Sequence, residues 1–313
     1  MKAGFVLSLV VAAGVTAALA GGAGERSAQW QRAAPLPLPR TEVAAATVGQ
    51  EIAVVGGYLA AGGTSARADS FSPARNRWRR LPSLPVAVNH STAVAYRGQL
   101  YVVGGYSERG ERLRNAYVLS GGRWRTLPRL PEGRAAAGAA VAGDKLYVVG
   151  GVSSGSPRLA EQAFVLDLKR RRWSTIPGPS PREHLAVTAA RGRIYALAGR
   201  TSGLNTNRTE LEVYSASERR WIALPSVPEA RGGTAATAVG DTIVSIGGEE
   251  PAGTIASVYG FNVKTRRWRR LSDLPTPRHG LGAAVYRGRV YAIGGGPRPG
   301  LFVSGANESL AVR

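Results

Sequence analysis

The chain of 313 residues has no cysteine. Disulfides, thiolate metal sites and lipid attachment through sulfur are therefore excluded. Methionine occurs once and histidine three times. Acidic side chains are also scarce: 20 Asp and Glu stand against 41 Lys and Arg, a formal net charge of +21. After the first 24 residues no apolar run is long enough to span a bilayer. No glycine-rich phosphate loop opens a helix, because the paired glycines end strands instead.

What the chain has in quantity is glycine, 41 residues, and much of it is periodic. Leu100-Tyr101-Val102-Val103-Gly104-Gly105 is the pattern at its clearest, a short run of β-formers ending in two glycines. It returns at Ile52 to Gly57, Leu146 to Gly151, Ile243 to Gly248 and Val290 to Gly295, and in degraded form at Ile194 to Gly199, where Ala198 replaces the first glycine. Such a run reads as a buried strand. All six tryptophans keep step with it: Trp30, Trp78, Trp124, Trp173, Trp221 and Trp268. A period in the forties of residues predicts an all-β propeller with four strands per blade.

Each unit parses alike. A small-residue strand such as Ser91 to Tyr96 comes first and is expected innermost. The buried strand follows, then a long variable loop, then a third strand bearing Phe71, Tyr117, Leu166, Tyr214 or Phe261. The tryptophan opens the outer strand, which ends in a proline corner such as Leu81-Pro82-Ser83-Leu84-Pro85. Gln29 to Arg32 looks like an outer strand with no strands before it, and Ser309 to Val312 like a third strand with no tryptophan after it. The N-terminal strand is thus predicted to complete the sixth blade, which removes an exposed sheet edge.

The glycine pairs, the downstream tryptophan and the proline-arginine corner together resemble kelch repeats, over nearly everything from Trp30 to Arg313. The resemblance implies a six-bladed β-propeller of the secreted bacterial kind, with the loops after the glycine pairs as its ligand face. Kelch-type copper radical oxidases need a cysteine, which this chain lacks, and the aspartate boxes of sialidase-like propellers are missing too.

The N-terminus is of another kind. Lys2 precedes an uncharged stretch from Ala3 to Gly24, with Ala18-Leu19-Ala20 offering small residues for cleavage. This reads as a secretory signal peptide over 1–20, a linker over 21–28 and the propeller over 29–313. The expected location is secreted or periplasmic. An uncleaved anchor is the rival reading, and the Gly and Ala content makes the stretch a poor one.

Charge then has a place on the blades. The turns of one face carry Arg75, Arg123, Lys169 to Arg172, Arg219 and Arg266 among others, a basic face suited to an anionic envelope polymer. Nucleic acid is disfavoured, since few aromatics are interleaved for stacking. On the opposite face one position, 16 residues before the first residue of the glycine pair (Ala198 in blade four), is Val88 in blade two and repeats as arginine in the other five of the six units: Arg40, Arg134, Arg182, Arg231 and Arg278. These are expected to ring the channel mouth and bind an anion, together with His90, His279 and Arg200. The rival reading has each arginine bonding loop carbonyls. A three-histidine metal site is not expected, because histidines from alternate blades would face each other across too wide a channel. No cofactor is implied.

Two functional readings stay open. In the first, a monomeric propeller binds an anionic small molecule, glycan or partner protein without chemistry. In the second, it resembles the exported kelch epimerases (mutarotases) of sialic acid, with Glu183 and His184 as the acid–base pair.

Overall fold

The computed structural model describes residues 1, 4, 28–60, 62–156 and 158–312. The expected signal peptide and linker lie outside the described residues apart from Met1, Gly4 and Ala28. Six four-stranded antiparallel sheets are arranged as the blades of a propeller. Blade 1 is formed by Ala44–Val48, Glu51–Val55, Ala68–Ser72 and Arg77–Arg80, from the axis outward. Blades 2 to 5 repeat this order. Blade 6 takes Gly282–Tyr286, Arg289–Ile293 and Asn307–Ala311 from the C-terminal end and Gln31–Arg32 from the N-terminal end. Gln31 pairs with Ser309 and Arg32 with Glu308, so the ring closes by strand pairing between the two ends of the chain.

Side-chain alternation along the second strand explains the packing. Ile52 and Val54 of blade 1 pack towards blade 6, while Ala53 and Val55 pack towards blade 2. Both faces of that strand are buried, hence its unbroken apolar run. The core is accordingly divided into six clusters, one at each blade–blade interface. The innermost strands meet closely at the axis: a Cβ on Gly282 would lie 2.5 Å from the Cβ of Ala45.

The tryptophans bolt neighbouring blades together. The indole N–H of Trp78 donates to the Ala34 carbonyl at 2.8 Å, that of Trp124 to Pro82, Trp173 to Pro128, Trp221 to Pro177, Trp268 to Pro225 and Trp30 to Ser272. The ring is thus apolar contact inside and a donated N–H at the edge. The glycine pairs serve the same interfaces. Gly56 has φ +65°, and a Cβ there would come within 2.5 Å of the Val88 carbonyl oxygen of blade 2. That same oxygen accepts from the Gly57 N–H at 2.8 Å. Among the described residues, no helix is long and apolar enough to cross a membrane.

Candidate functional site

At one end of the axis the chain entering each innermost strand passes through a left-handed residue. In blade order these are Glu42, His90, Ala136, His184, Gly233 and Gly280, with φ between +49° and +63°. Left-handed backbone turns each amide towards the adjacent blade. His90 N donates to Glu42 O, Ala136 N to His90 O, His184 N to Ala136 O, Gly233 N to His184 O and Gly280 N to Gly233 O, all at 2.9 to 3.2 Å. Val43 N closes the circle on Gly280 O at 3.2 Å. This backbone belt holds six side-chain positions around the mouth of a central channel of about 430 Å³. Below the belt the channel walls are mostly alanine, with threonine and valine.

The side chains above the belt form a second, closed ring of charge. Glu42 Oε2 lies 3.2 Å from His90 Nε2, and His90 Nε2 lies 2.9 Å from His184 Nε2. His184 Nδ1 faces Glu183 Oε1 at 3.7 Å, and Glu183 in turn faces Arg200 Nε at 3.7 Å. Arg200 Nη1 donates to Glu249 Oε1 at 2.6 Å. Glu249 Oε2 lies 3.5 Å from His279 Nδ1, which returns to Glu42 Oε1 at 3.2 Å. Tyr58 and Tyr106 stand edge-on against His90, with ring centres 5.8 and 5.5 Å away.

The electrostatics of this ring are divided. Burial pushes the Glu42 carboxyl up, but His90, His279 and His184 outweigh it and hold it well below the usual carboxylate range. Burial pushes His90 down to about 4, against the pull of Glu42. His279 goes the other way: burial opposes its charge, yet Glu42 and Glu249 raise its pKa above the ordinary histidine value. Its Nε2 donates to the Arg298 carbonyl at 3.1 Å. Glu183 is held below the usual range, with burial overcome by His184, Arg158 and Arg200.

The expected arginine ring is corrected by the structure. Arg40, Arg134, Arg182, Arg231 and Arg278 are between 0% and 2% exposed and lie inside the blades. The reason is the carbonyl at the end of the second strand, which curls into left-handed backbone and finds no ladder partner. Arg40 Nη1 donates to Gly56 O at 2.8 Å, Arg182 Nε to Ala198 O at 2.7 Å, and Arg278 Nε to Gly294 O at 2.7 Å. Arg231 does the same to Gly247 O at 3.3 Å. The remaining charge is met from the third strand in three blades: Asp69, Glu212 and Glu308 at 2.5 to 2.6 Å. In the other two, an aromatic face stands on that strand, Phe164 for Arg134 and Tyr259 for Arg231, and the carboxylate comes from two residues earlier: Glu132 at 3.5 Å and Glu229 at 2.6 Å. Buried guanidinium groups so committed cannot meet a ligand.

His90, Glu183, His184, Arg200 and His279 do converge at the mouth. The expected separation of alternate-blade histidines is wrong for His90 and His184, because the belt draws blades 2 and 4 together at the axis. Glu42 and Glu249 were the residues whose weight was missed. The signal was in the sequence: Glu42 and His90 occupy the same repeat position, two residues beyond the arginine position.

A family model described as KLHDC2/KLHL20/DRC7 Kelch-repeats domain matches residues 26–177 and 136–304. The chain belongs to the kelch-repeat family. A curated relative of this kelch propeller is the Kelch-like protein terF of Aspergillus terreus (strain NIH 2624 / FGSC A1156), 30% identical over 95 residues. That match takes in 30% of the present chain and 21% of terF, so the kelch propeller matches about a fifth of the relative's length. A role in binding proteins is in keeping with the kelch fold.

Proposed function

We propose that the protein is an exported, non-catalytic kelch module that takes an acidic segment of a partner on its variable-loop face. The observation that carries this reading is the loop after the sixth glycine pair. Leu301 and Phe302 there are 53% and 50% exposed, the largest apolar side chains standing free among the described propeller residues. The Arg298 guanidinium lies 5.5 Å from the Phe302 ring centre, and Arg109 and Arg158 are exposed in the loops of blades 2 and 3. An aromatic anchor beside arginines suits a segment that is both acidic and apolar. The net charge of +21 favours encounter with such a partner. The anionic-ligand expectation is thus kept, but moved from the buried arginines to the loop rim.

The test is interferometry against immobilised peptides rich in glutamate and phenylalanine. Phe302→Ala and Arg298→Glu should each weaken binding about tenfold, equivalent to about 1.4 kcal/mol. Arg171→Glu, on the opposite face, should change it little. Equal losses from all three would reduce the binding to bulk charge and remove the reading.

Acid–base chemistry on an acidic sugar draws less support. Glu183 Oε2 accepts from Arg158 at 2.9 Å, and a carboxylate held ionised is a poor proton donor at neutral pH. The opposite face supports a second, polymer-binding contact. Six of its turn residues at positive φ are arginines: Arg97, Arg171, Arg191, Arg219, Arg266 and Arg287. Glycine would be cheaper there, so charge at these turns is carried at a cost to the backbone.

A further inference from the structure

We propose that Glu42, His90 and His184 form a binding site for a divalent transition metal of the zinc class at the channel mouth. The three residues come from blades 1, 2 and 4, and one ligand atom from each lies within 4.8 Å of the others. The two closest separations are 2.9 Å between the histidine Nε2 atoms and 3.2 Å from Glu42 Oε2 to His90 Nε2. Donors on a tetrahedral ion with bonds of about 2.0–2.1 Å stand about 3.3 Å apart. Small side-chain movements therefore convert the observed triangle into one face of a coordination sphere.

Hydrogen-bond bookkeeping is what favours a cation here. Asn89 Nδ2 donates to Thr64 Oγ1 at 2.9 Å, which leaves its Oδ1 to face His90 Nδ1 at 2.7 Å. That oxygen only accepts, so His90 carries its proton on Nδ1 and its Nε2 is a bare lone pair. His184 Nδ1 is buried without a hydrogen-bond partner and looks at the Glu183 carboxylate from 3.7 Å. A lone pair there would oppose a negative charge, so the proton again belongs on Nδ1 and Nε2 is again bare. The third atom, Glu42 Oε2, is a carboxylate oxygen. In these tautomers three acceptors point at one another. A metal ion turns this repulsion into three bonds.

The surrounding residues are arranged as metal ligands require. Asn89 and Glu183 fix the tautomers of the two histidines, and His279 Nδ1 holds the other oxygen of Glu42 at 3.2 Å. Two histidines and one carboxylate leave a fourth position for water or an exchangeable ligand, as in open zinc sites. The inference does not depend on the acidic-partner reading, since no residue of the Phe302 loop contributes a ligand atom.

The experiment uses untagged protein treated with a chelator, dialysed and titrated with Zn²⁺ and, separately, Co²⁺. One equivalent of Zn²⁺ should bind by calorimetry, and bound Co²⁺ should show the visible absorption of a four- or five-coordinate site. His184→Ala should weaken binding at least a hundredfold. Glu42→Gln, which keeps size and fold, should weaken it about tenfold and shift the Co²⁺ spectrum. Near-UV circular dichroism confirms that each variant is folded. Failure of the folded parent to bind either ion at millimolar concentration would overturn the proposal, leaving a proton shared by the two Nε2 atoms. Binding that survives both substitutions would overturn it equally, because the ion would then sit elsewhere.

Discussion

The indole N–H of Trp30 donates to the carbonyl oxygen of Ser272 at 2.8 Å, joining residues 242 apart in the chain. The same bond occurs in every blade, but here it joins the N-terminal strand to the far part of the chain, beside the Gln31–Ser309 pairing and the bond from Ser272 Oγ to Ala28 O. Trp30→Ala should therefore do more than lose packing, which alone costs about 2 kcal/mol or more for a half-buried tryptophan. It should loosen Gln31 and Arg32 from Asn307–Ala311 and free a sheet edge. Urea denaturation and gel filtration check this. A loss of stability without concentration-dependent association would show that the edge stays covered.

The buried arginines divide into two energetic kinds. Arg182 pairs with Glu212 at 2.5 Å and also donates to the Ala198 and Ser180 carbonyls. Arg182→Met should cost about 3–5 kcal/mol, because it leaves a carboxylate and two carbonyls without their donor. Arg134 leaves its Nε and Nη1 without partners and rests on the Phe164 ring, 4.6 Å from its centre. Arg134→Met should cost under about 1 kcal/mol or be stabilising. Equal costs in chemical denaturation would contradict this division. Neither change should touch loop-face binding.

Acid should weaken the basic face in a defined window. Asp144 is held below the ordinary aspartate range first by its bond from Lys169, then by Tyr96. Asp241 is held well below it by Arg191 and Lys264. Both carboxyls have lower pKa values folded than unfolded, so their contribution is present above the unfolded value of about 3.9 and fades as pH falls below it. The melting temperature should decline below about pH 4, less steeply in the Asp144→Asn/Asp241→Asn double variant. Salt should shrink the difference, since both pairs are exposed. An identical decline in both proteins would remove these contacts from the account.

The left-handed arginines predict a trade. Changing Arg171, Arg219 and Arg266 to glycine relieves three residues with φ between +52° and +56°. Each replacement should stabilise the protein by roughly 0.5–1 kcal/mol, the left-handed penalty less the added chain entropy of glycine. Retention on a carboxylated matrix should fall at the same time. Greater stability with unchanged retention would mean that these charges do not face the polymer.

The blades were legible because repetition is legible. Tryptophan spacing, glycine pairs and an unmatched strand at each end gave six sheets and their closure. The site was legible only by half. Arg40, Arg182, Arg231 and Arg278 repeat because each satisfies the same strand-end carbonyl in its own blade, and a repeated residue in a repeat protein serves first what is repeated. The residues gathered at the channel mouth are the ones that differ from blade to blade, such as Glu42, His90 and Arg200. The approach of His90 to His184 was hidden because it depends on the inter-blade amide bonds of the belt, which no side-chain spacing encodes.

That belt has a consequence for how such a molecule diversifies. Its hydrogen bonds use only backbone atoms, so the six residues that form it are released from any duty of side-chain chemistry. Glutamate, histidine, alanine and glycine already occupy it in one chain. Ala136, Gly233 and Gly280 are the stations without a functional group. A substitution at Ala136 would place a new functional group beside those already at the mouth, and the backbone bonds of the belt would not depend on which group it is.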